Sequence, residues 1–246
     1  MPVFFVPQEW IVPPTIFITG ELLTHLRNSL RVNIGETIWL GHGDGTRYRA
    51  EIAAVSKQAI AAQIVEILQE PPRCTPRLIL GQSLLKGERM DWVIQKATEL
   101  GISEIVPIES RHSVVQLKAD REGHQLARWR RIALEAAQQS EQWRVPTIAQ
   151  PRPLSELLAN HAIGTMILLL AERHEGKSLQ TVALPQGAEG TVLALIGPEG
   201  GWSKEELADA KHAEVESIAL GQHILRSETA AIATIGVLQS RLGGLG

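Results

Sequence analysis

The chain has 246 residues, 44% of them hydrophobic, with a formal net charge of −3 and a single cysteine. That length and apolar content suit one large or two modest globular domains. The negative balance excludes a surface coated in positive field, so any nucleic-acid binding has to come from local clusters of cations.

The start, PVFFVPQEWIVPP, is broken by prolines and a charge, and no apolar run reaches bilayer length, so the expectation is a cytoplasmic protein with no membrane partner. Up to about residue 70, the short runs IVPPTIFI, ETIWLGHG, TRYRAEIAAV and AIAAQIVEIL alternate with Gly, Asp and Asn turn signals and read as a small β-barrel. Between them, ELLTHLRNSLRV carries Leu22, Leu23, Leu26 and Leu30 at helical spacing, which sets Arg27 and Arg31 four apart on one helix face. Three prolines in EPPRCTPR make a stiff break, placing a domain boundary near residue 72. Cys74 within that break has no second thiol for a disulfide or a metal cage, and no metal is expected.

From residue 73 to 246 apolar runs alternate with helical patterns. RLILGQSLL precedes a helix around residues 88–100, and ISEIVPIE precedes one around 121–141. TMILLLAE and TVLALIG follow, then a helix from Ser203, the run VESIAL and a last helix over about 227–242. This alternation predicts an α/β domain, a parallel sheet with helices on both faces. Ligands in such sheets sit outside the carboxyl ends of the strands, which singles out the loops after Leu170, Ile196 and Leu220.

The loop after Ile196 is GPEGGWS. Gly197, Gly200 and Gly201 leave the backbone free to take positive φ and to approach a ligand closely, and Pro198 stiffens the entry. Ser203 with Glu206 forms a capping box, so the helix start already satisfies its own donors. With no Gly-Lys-Ser/Thr, no G-x-G-x-x-G, and Glu199 in mid-loop, the segment does not suit a phosphate. A cationic ligand with hydrogen-bonding edges, such as S-adenosylmethionine, fits better. A tight turn without ligand is the alternative. The loop LGQHILRSETA adds an apolar pair, Ile224 and Leu225, able to flank an adenine, then Arg226, then Ser227 and Thr229 as caps of the last helix.

GPEGGWS together with LGQHILRSETA resembles the paired cofactor loops of the SPOUT methyltransferases, specifically the 16S ribosomal RNA uridine N3-methyltransferase family, RsmE. KGERMDWVIQKATELGISEIVPIESRHSV, EAAQQS, the early FFV and HLRNSLRVNIGETIWLGHGDG resemble the family's other blocks in the same order. The resemblance implies a PUA-like β-barrel over residues 1–72, and over 73–246 a parallel-sheet domain closed by a trefoil knot. It further implies a homodimer acting on ribosomal RNA of the small subunit. The cofactor, S-adenosylmethionine, would be wrapped by Leu170, Ala171 and Glu172, by Gly197, Pro198, Glu199, Gly200 and Gly201, and by Leu220, Gly221, Ile224, Leu225 and Arg226. Thr229 and Ala230 would shape the pocket from the last helix. One departure stands out: QSEQWRVP has Glu141 and Gln142 where the family usually has Gly and Arg, leaving Arg144 as the candidate substitute.

Methylating uridine N3 requires loss of its proton and stabilisation of an anion spread over O2 and O4. Arg226, permanently charged and planar, is the candidate stabiliser. Glu199 is the candidate base, or else orients the loop by accepting backbone N–H groups. His223 reads as a backbone-bonding group rather than a catalyst. Between residues 111 and 131, six Lys and Arg residues face two acids, a local cationic cluster. Lys86, Arg89, Lys96 and Arg111, with Arg27, Arg31 and Arg144, are the expected phosphate contacts. A ribose 2′-O-methyltransferase of the same superfamily and a non-catalytic ribosome-assembly factor are the competing functions.

Overall fold

The structure is a computed structural model that describes residues 3–117, 119–171 and 176–245. It forms two compact units, Met1–Pro72 with Ala137–Val145, and Arg73–Ala136 with Pro146–Gly246.

The first unit is a curled six-stranded sheet made of β1 (Val3–Phe5), β2 (Ile11–Val12), β3 (Thr15–Ile18), β4 (Thr37–Gly41), β5 (Thr46–Val55) and β6 (Ile60–Gln69). Their spatial order is β1-β4-β5-β6-β3-β2, antiparallel except for the β1–β4 pair. Ile16, Ile18, Ile38, Leu40, Ile52 and Ile60 fill one face, where Leu23 and Leu26 pack against them. Leu23 comes from helix α1 (Gly20–Thr24), which continues as a π-turn over His25–Leu30. This corrects the sequence expectation for ELLTHLRNSLRV. Each π-type bond takes in one more residue than an α-turn does, so the i, i+4 register of an α-helix is lost. Leu30 is 48% exposed rather than buried, and Arg31 lies past the helix end in the left-handed region at φ 53°. Arg27 and Arg31 therefore do not share a helical face.

The second unit is an all-parallel sheet of eight strands, β7 (Arg77–Ser83), β8 (Glu104–Glu109), β9 (Thr147–Ile148), β10 (Arg152–Pro153), β11 (Thr165–Leu170), β12 (Lys177–Ser178), β13 (Thr191–Ile196) and β14 (Glu216–Ala219). The order is β10-β8-β7-β13-β11-β14-β12, with β9 also on β8. The central strands β7, β13 and β11 are near-continuous apolar runs, as a sheet covered on both faces requires. Gly81 in β7 marks close packing between neighbouring strands, since a Cβ there would lie 2.6 Å from Leu195 Cδ2. The helices are α2 (Glu88–Glu99), α3 (Ala119–Gln139), α4 (Leu154–Ala159), α5 (Lys204–His212) and α6 (Ser227–Leu242). The helix α6 buries Ala231, Thr234, Ile235 and Leu238 and packs on α2, β7 and β13. No helix among the described residues is long and apolar enough to cross a membrane.

Candidate active site

The carboxyl ends of β11, β13 and β14 lie side by side in the sheet, and the turns that follow them enclose a cavity of about 280 Å³. That is close to the lower bound of roughly 300 Å³ for small-molecule sites. Three stretches make its wall: Leu170 and Ala171, Ile196 to Trp202 without Gly200, and Ala219 to Ala230 without Gln222, Glu228 and Thr229. The cofactor residues expected from sequence converge here, with three exceptions. Glu172 lies outside the described residues. Thr229 is exposed and does not line the cavity, and Gly200 is absent from the wall and lies against His112.

The three loop glycines serve different ends. Gly201 adopts φ +70°, a conformation only glycine takes without strain, and its N–H closes the turn onto Pro198 O at 3.0 Å. At Gly200 a Cβ would sit 3.0 Å from His112 Cβ. The His112 ring lies there because Nδ1 donates to both Gly200 O and Gly201 O, each at 3.1 Å, which makes Nδ1 the protonated nitrogen. At Gly197 the neighbour is the Trp202 indole, 3.1 Å away, whose Nε1 donates to Leu170 O at 3.3 Å. Sequence reading assigned the three glycines to positive φ and ligand approach; Gly201 takes the positive φ, and Gly197 and Gly200 also make room for protein side chains. Trp202 was missed as a wall residue, although an aromatic directly after Gly-Gly was the available signal.

The start of α5 has the expected capping box: Ser203 N–H donates to Glu206 Oε2 at 2.8 Å, and Glu206 N–H to Ser203 Oγ at 3.2 Å. Glu206 Oε1 also accepts the Arg111 backbone N–H at 3.0 Å. A buried carboxylate thus occupies the helix N-terminus where a phosphate would otherwise sit. The adjoining Glu205 is held below the usual carboxylate range by its own backbone N–H, then by the Ser203 hydroxyl and the nearby Arg111 guanidinium.

The charged residues of the site are largely engaged with one another. Glu199, in the cavity wall, forms an ion pair with Arg89 from the first turn of α2. This weakens one sequence argument, since Arg89 offsets the negative charge that was held to repel a phosphate. The capping box, not Glu199, is what disfavours an anion. Lys96 pairs with Glu99 at 2.8 Å, Arg111 lies 3.9 Å from Glu205, and Lys86 is exposed beside the start of α2. Arg226 is exposed, lines the cavity, and is itself the N-cap of α6. This position corrects the expectation for Ser227 and Thr229: no side chain caps this helix, and the Ser227 hydroxyl donates instead to Gly197 O at 2.6 Å.

In the first unit, Arg27 Nε donates to Asn28 Oδ1 and Arg31 is exposed. Arg144 is ion-paired with Glu70. The neighbouring Arg47 guanidinium stacks 3.9 Å from the Trp143 ring centre and donates to Glu141 O. Burial holds Arg47 below its usual range, with Glu141 and Glu70 opposing that shift.

The family model described as an RNA methyltransferase domain matches residues 72–239, and that of an RNA methyltransferase PUA domain matches 18–65. The ribosomal RNA small subunit methyltransferase E of Bacillus subtilis is 30% identical over 231 residues, covering 92% of this chain and 90% of that protein. The chain belongs to the ribosomal RNA small subunit methyltransferase E family. A crystal structure of the Neisseria gonorrhoeae member of this methyltransferase E family, bound to S-adenosyl methionine, superposes with a TM-score of 0.87 at 31% identity, covering 98% of both chains. A Legionella pneumophila methyltransferase in complex with its cofactor SAM gives a TM-score of 0.86 at 28% identity, covering 97% of each. Membership in the methyltransferase E family agrees with a PUA-like sheet and a parallel α/β unit in one chain.

Proposed function

We propose that this protein methylates N3 of a specific uridine in the 16S RNA of the small ribosomal subunit, with S-adenosylmethionine as donor. The observation that carries the reading is the cavity itself: two glycine-bearing turns, after β13 and β14, face each other outside the carboxyl ends of parallel strands, with Arg226 at the edge. The residues fit the donor. Gly197, Pro198 and Gly201 on one side, and Leu220, Gly221, Ile224 and Leu225 on the other, offer main-chain atoms and apolar surface to an adenosine, while the N-terminus of α5 is closed by its own capping box.

When bound, S-adenosylmethionine supplies an electrophilic methyl carbon on a sulfonium. The chain's own residues hold and align the reactants. Arg226 stabilises the negative charge that develops on the uracil carbonyl oxygens as N3 loses its proton to solvent water. Glu199, already engaged by Arg89, serves to orient the glycine loop; this is the better supported of its two candidate roles. Lys86 and Arg111 in the second unit, and Arg27 and Arg31 in the first, hold RNA phosphates, while Arg144 and Lys96 act within the protein as partners of Glu70 and Glu99. The reading extends to a trefoil knot formed around the cofactor turns, a homodimer, and action in the cytoplasm, where ribosomal subunits are assembled.

The test uses small ribosomal subunits from cells lacking the protein, treated with purified protein and donor. A new stop of reverse transcriptase at one uridine, with a mass gain of one methyl group on the base, is expected. Methylation of a ribose instead would transfer the chain to the 2′-O class, and no methylation of subunit or free RNA would leave a binding function only.

A further inference from the structure

Behind the cavity wall, a line of hydrogen bonds joins three parts of the second unit that are far apart in sequence. Gln82, at the end of β7, is fully buried. Its side-chain nitrogen donates to Ser83 O at 3.0 Å and to Ser227 Oγ at 3.0 Å. Both amide hydrogens are thereby committed, and the carbonyl of Ser83 requires a donor, so the amide cannot be turned the other way round. The Ser227 oxygen, receiving a hydrogen from Gln82, spends its own on Gly197 O at 2.6 Å. Every hydrogen in the line therefore has one direction, from Gln82 through Ser227 to the first carbonyl of the glycine loop.

That carbonyl sets the loop. The Gly197–Pro198 peptide is trans, Pro13–Pro14 being the cis bond among the described residues. In a trans peptide the carbonyl oxygen and the proline ring Cδ lie on opposite sides of the C–N bond. Drawing the oxygen toward Ser227 turns the Pro198 ring away from it, and Pro198 is part of the cavity wall. Gln82 is also an unusual choice for packing alone, because its Oε1 is buried without a partner among the described residues. An apolar side chain of the same size would fill the space without stranding an acceptor.

We propose that Gln82 is a positioning residue for the cofactor site: acting through Ser227, it fixes the first peptide plane of the glycine loop and so the shape in which the loop meets its ligand. This rests on the cavity being the S-adenosylmethionine site. The test compares the wild type with Q82L, S227A, S227T and the Q82L/S227A double variant by two measurements. The first is calorimetric titration with S-adenosylmethionine. Each of Q82L and S227A is expected to weaken binding about tenfold, the order of one well-made buried hydrogen bond. The double variant should remain near tenfold, because both changes break one line. S227T, which keeps the hydroxyl, should stay within about threefold of wild type. The second is hydrogen exchange without cofactor, where the Gly201 amide that closes the turn should exchange faster in Q82L and S227A. Wild-type affinity and wild-type exchange in Q82L, or a double variant near a hundredfold, would overturn the relay. Absence of saturable binding in the wild type would refute the reading of the cavity, and the exchange measurement would still decide the relay on its own.

Discussion

Replacing Glu141 tests how the helix α3 ends. The helix α3 ends in paired bonds, Gln142 N–H to Ala137 O at 2.9 Å and Glu141 N–H to Gln138 O at 3.3 Å, with Glu141 in the left-handed region at φ 51°. This is a Schellman closure with Glu141 at the position that glycine normally fills. An L-residue held left-handed costs about 1–2 kcal/mol, while glycine gives up about 0.5–1 kcal/mol of unfolded-chain entropy relative to alanine. The Glu141 carboxylate also interacts with the Arg47 guanidinium, so a bare Glu-to-Gly change mixes two effects. The clean comparison is E141A against E141G, since both lose the carboxylate and they differ only in backbone preference. E141G should be the more stable by about 0.5–1 kcal/mol, read as a higher urea midpoint at unchanged m-value. Trp143 reports on the same segment, because its ring stacks under Arg47. In a helix interior the order is reversed, with alanine ahead by about 0.5–1 kcal/mol. An E141A protein that equals or exceeds E141G would therefore refute the closure and mean that the helix continues through residue 141.

Three further outcomes are expected. R226A should lower kcat by about 100-fold or more, as losing an oxyanion donor does, while the dissociation constant for S-adenosylmethionine changes far less; equal losses in both would reduce Arg226 to a cofactor contact. R27A/R31A should weaken RNA binding and flatten its dependence on salt by about one or two released counterions, with cofactor affinity retained; an unchanged salt slope would take the first unit off the RNA path. Because the folded-state pKa of Glu205 is depressed, its contribution to stability is present above its ordinary value of 4.5 and is lost as the pH falls through the folded value. Wild type and E205Q should therefore differ in urea midpoint at pH 7 and converge as the pH falls below 4.5, whereas a gap that widens in acid would reverse the assigned sign.

Much of the second unit was legible because its signals are local. An apolar run, a glycine turn and a capping box lie within a dozen residues at Thr191–Ile196, GPEGGWS and Ser203, and the strand, loop and helix follow in that order. The helix α4 was equally local, with Pro153 at its cap and Leu154, Leu157 and Leu158 on one face, yet it was overlooked. What stayed hidden depends on partners distant in sequence or on backbone states that residue type does not reveal. Nothing near Leu26 announces that the following turn widens into a π-turn, so the leucine spacing suggests a helical face that the chain abandons by Leu30. Nothing in the side chain of Glu141 announces a left-handed residue that closes a helix.

The same limit shaped the reading of the site. Its membership could be inferred, because strand ends and glycine turns determine which loops meet. The roles of individual side chains could not, because each is settled by a neighbour from another part of the chain. Gly200 is small to admit His112, 88 residues earlier. Arg89, expected as a phosphate contact, and Glu199, expected as a base or as a group orienting the loop, are paired with each other in the fold. Ser227 has the residue type of a helix cap but sits one position too late, and its hydroxyl is committed to the carbonyl of Gly197. The glycine loop is thus held at its entry by Ser227 and near its exit by His112, both acting on carbonyl oxygens. A loop restrained through its carbonyls keeps the spacing of its turn without using side chains of its own, which is why so short a sequence can present main-chain atoms to a ligand in one arrangement.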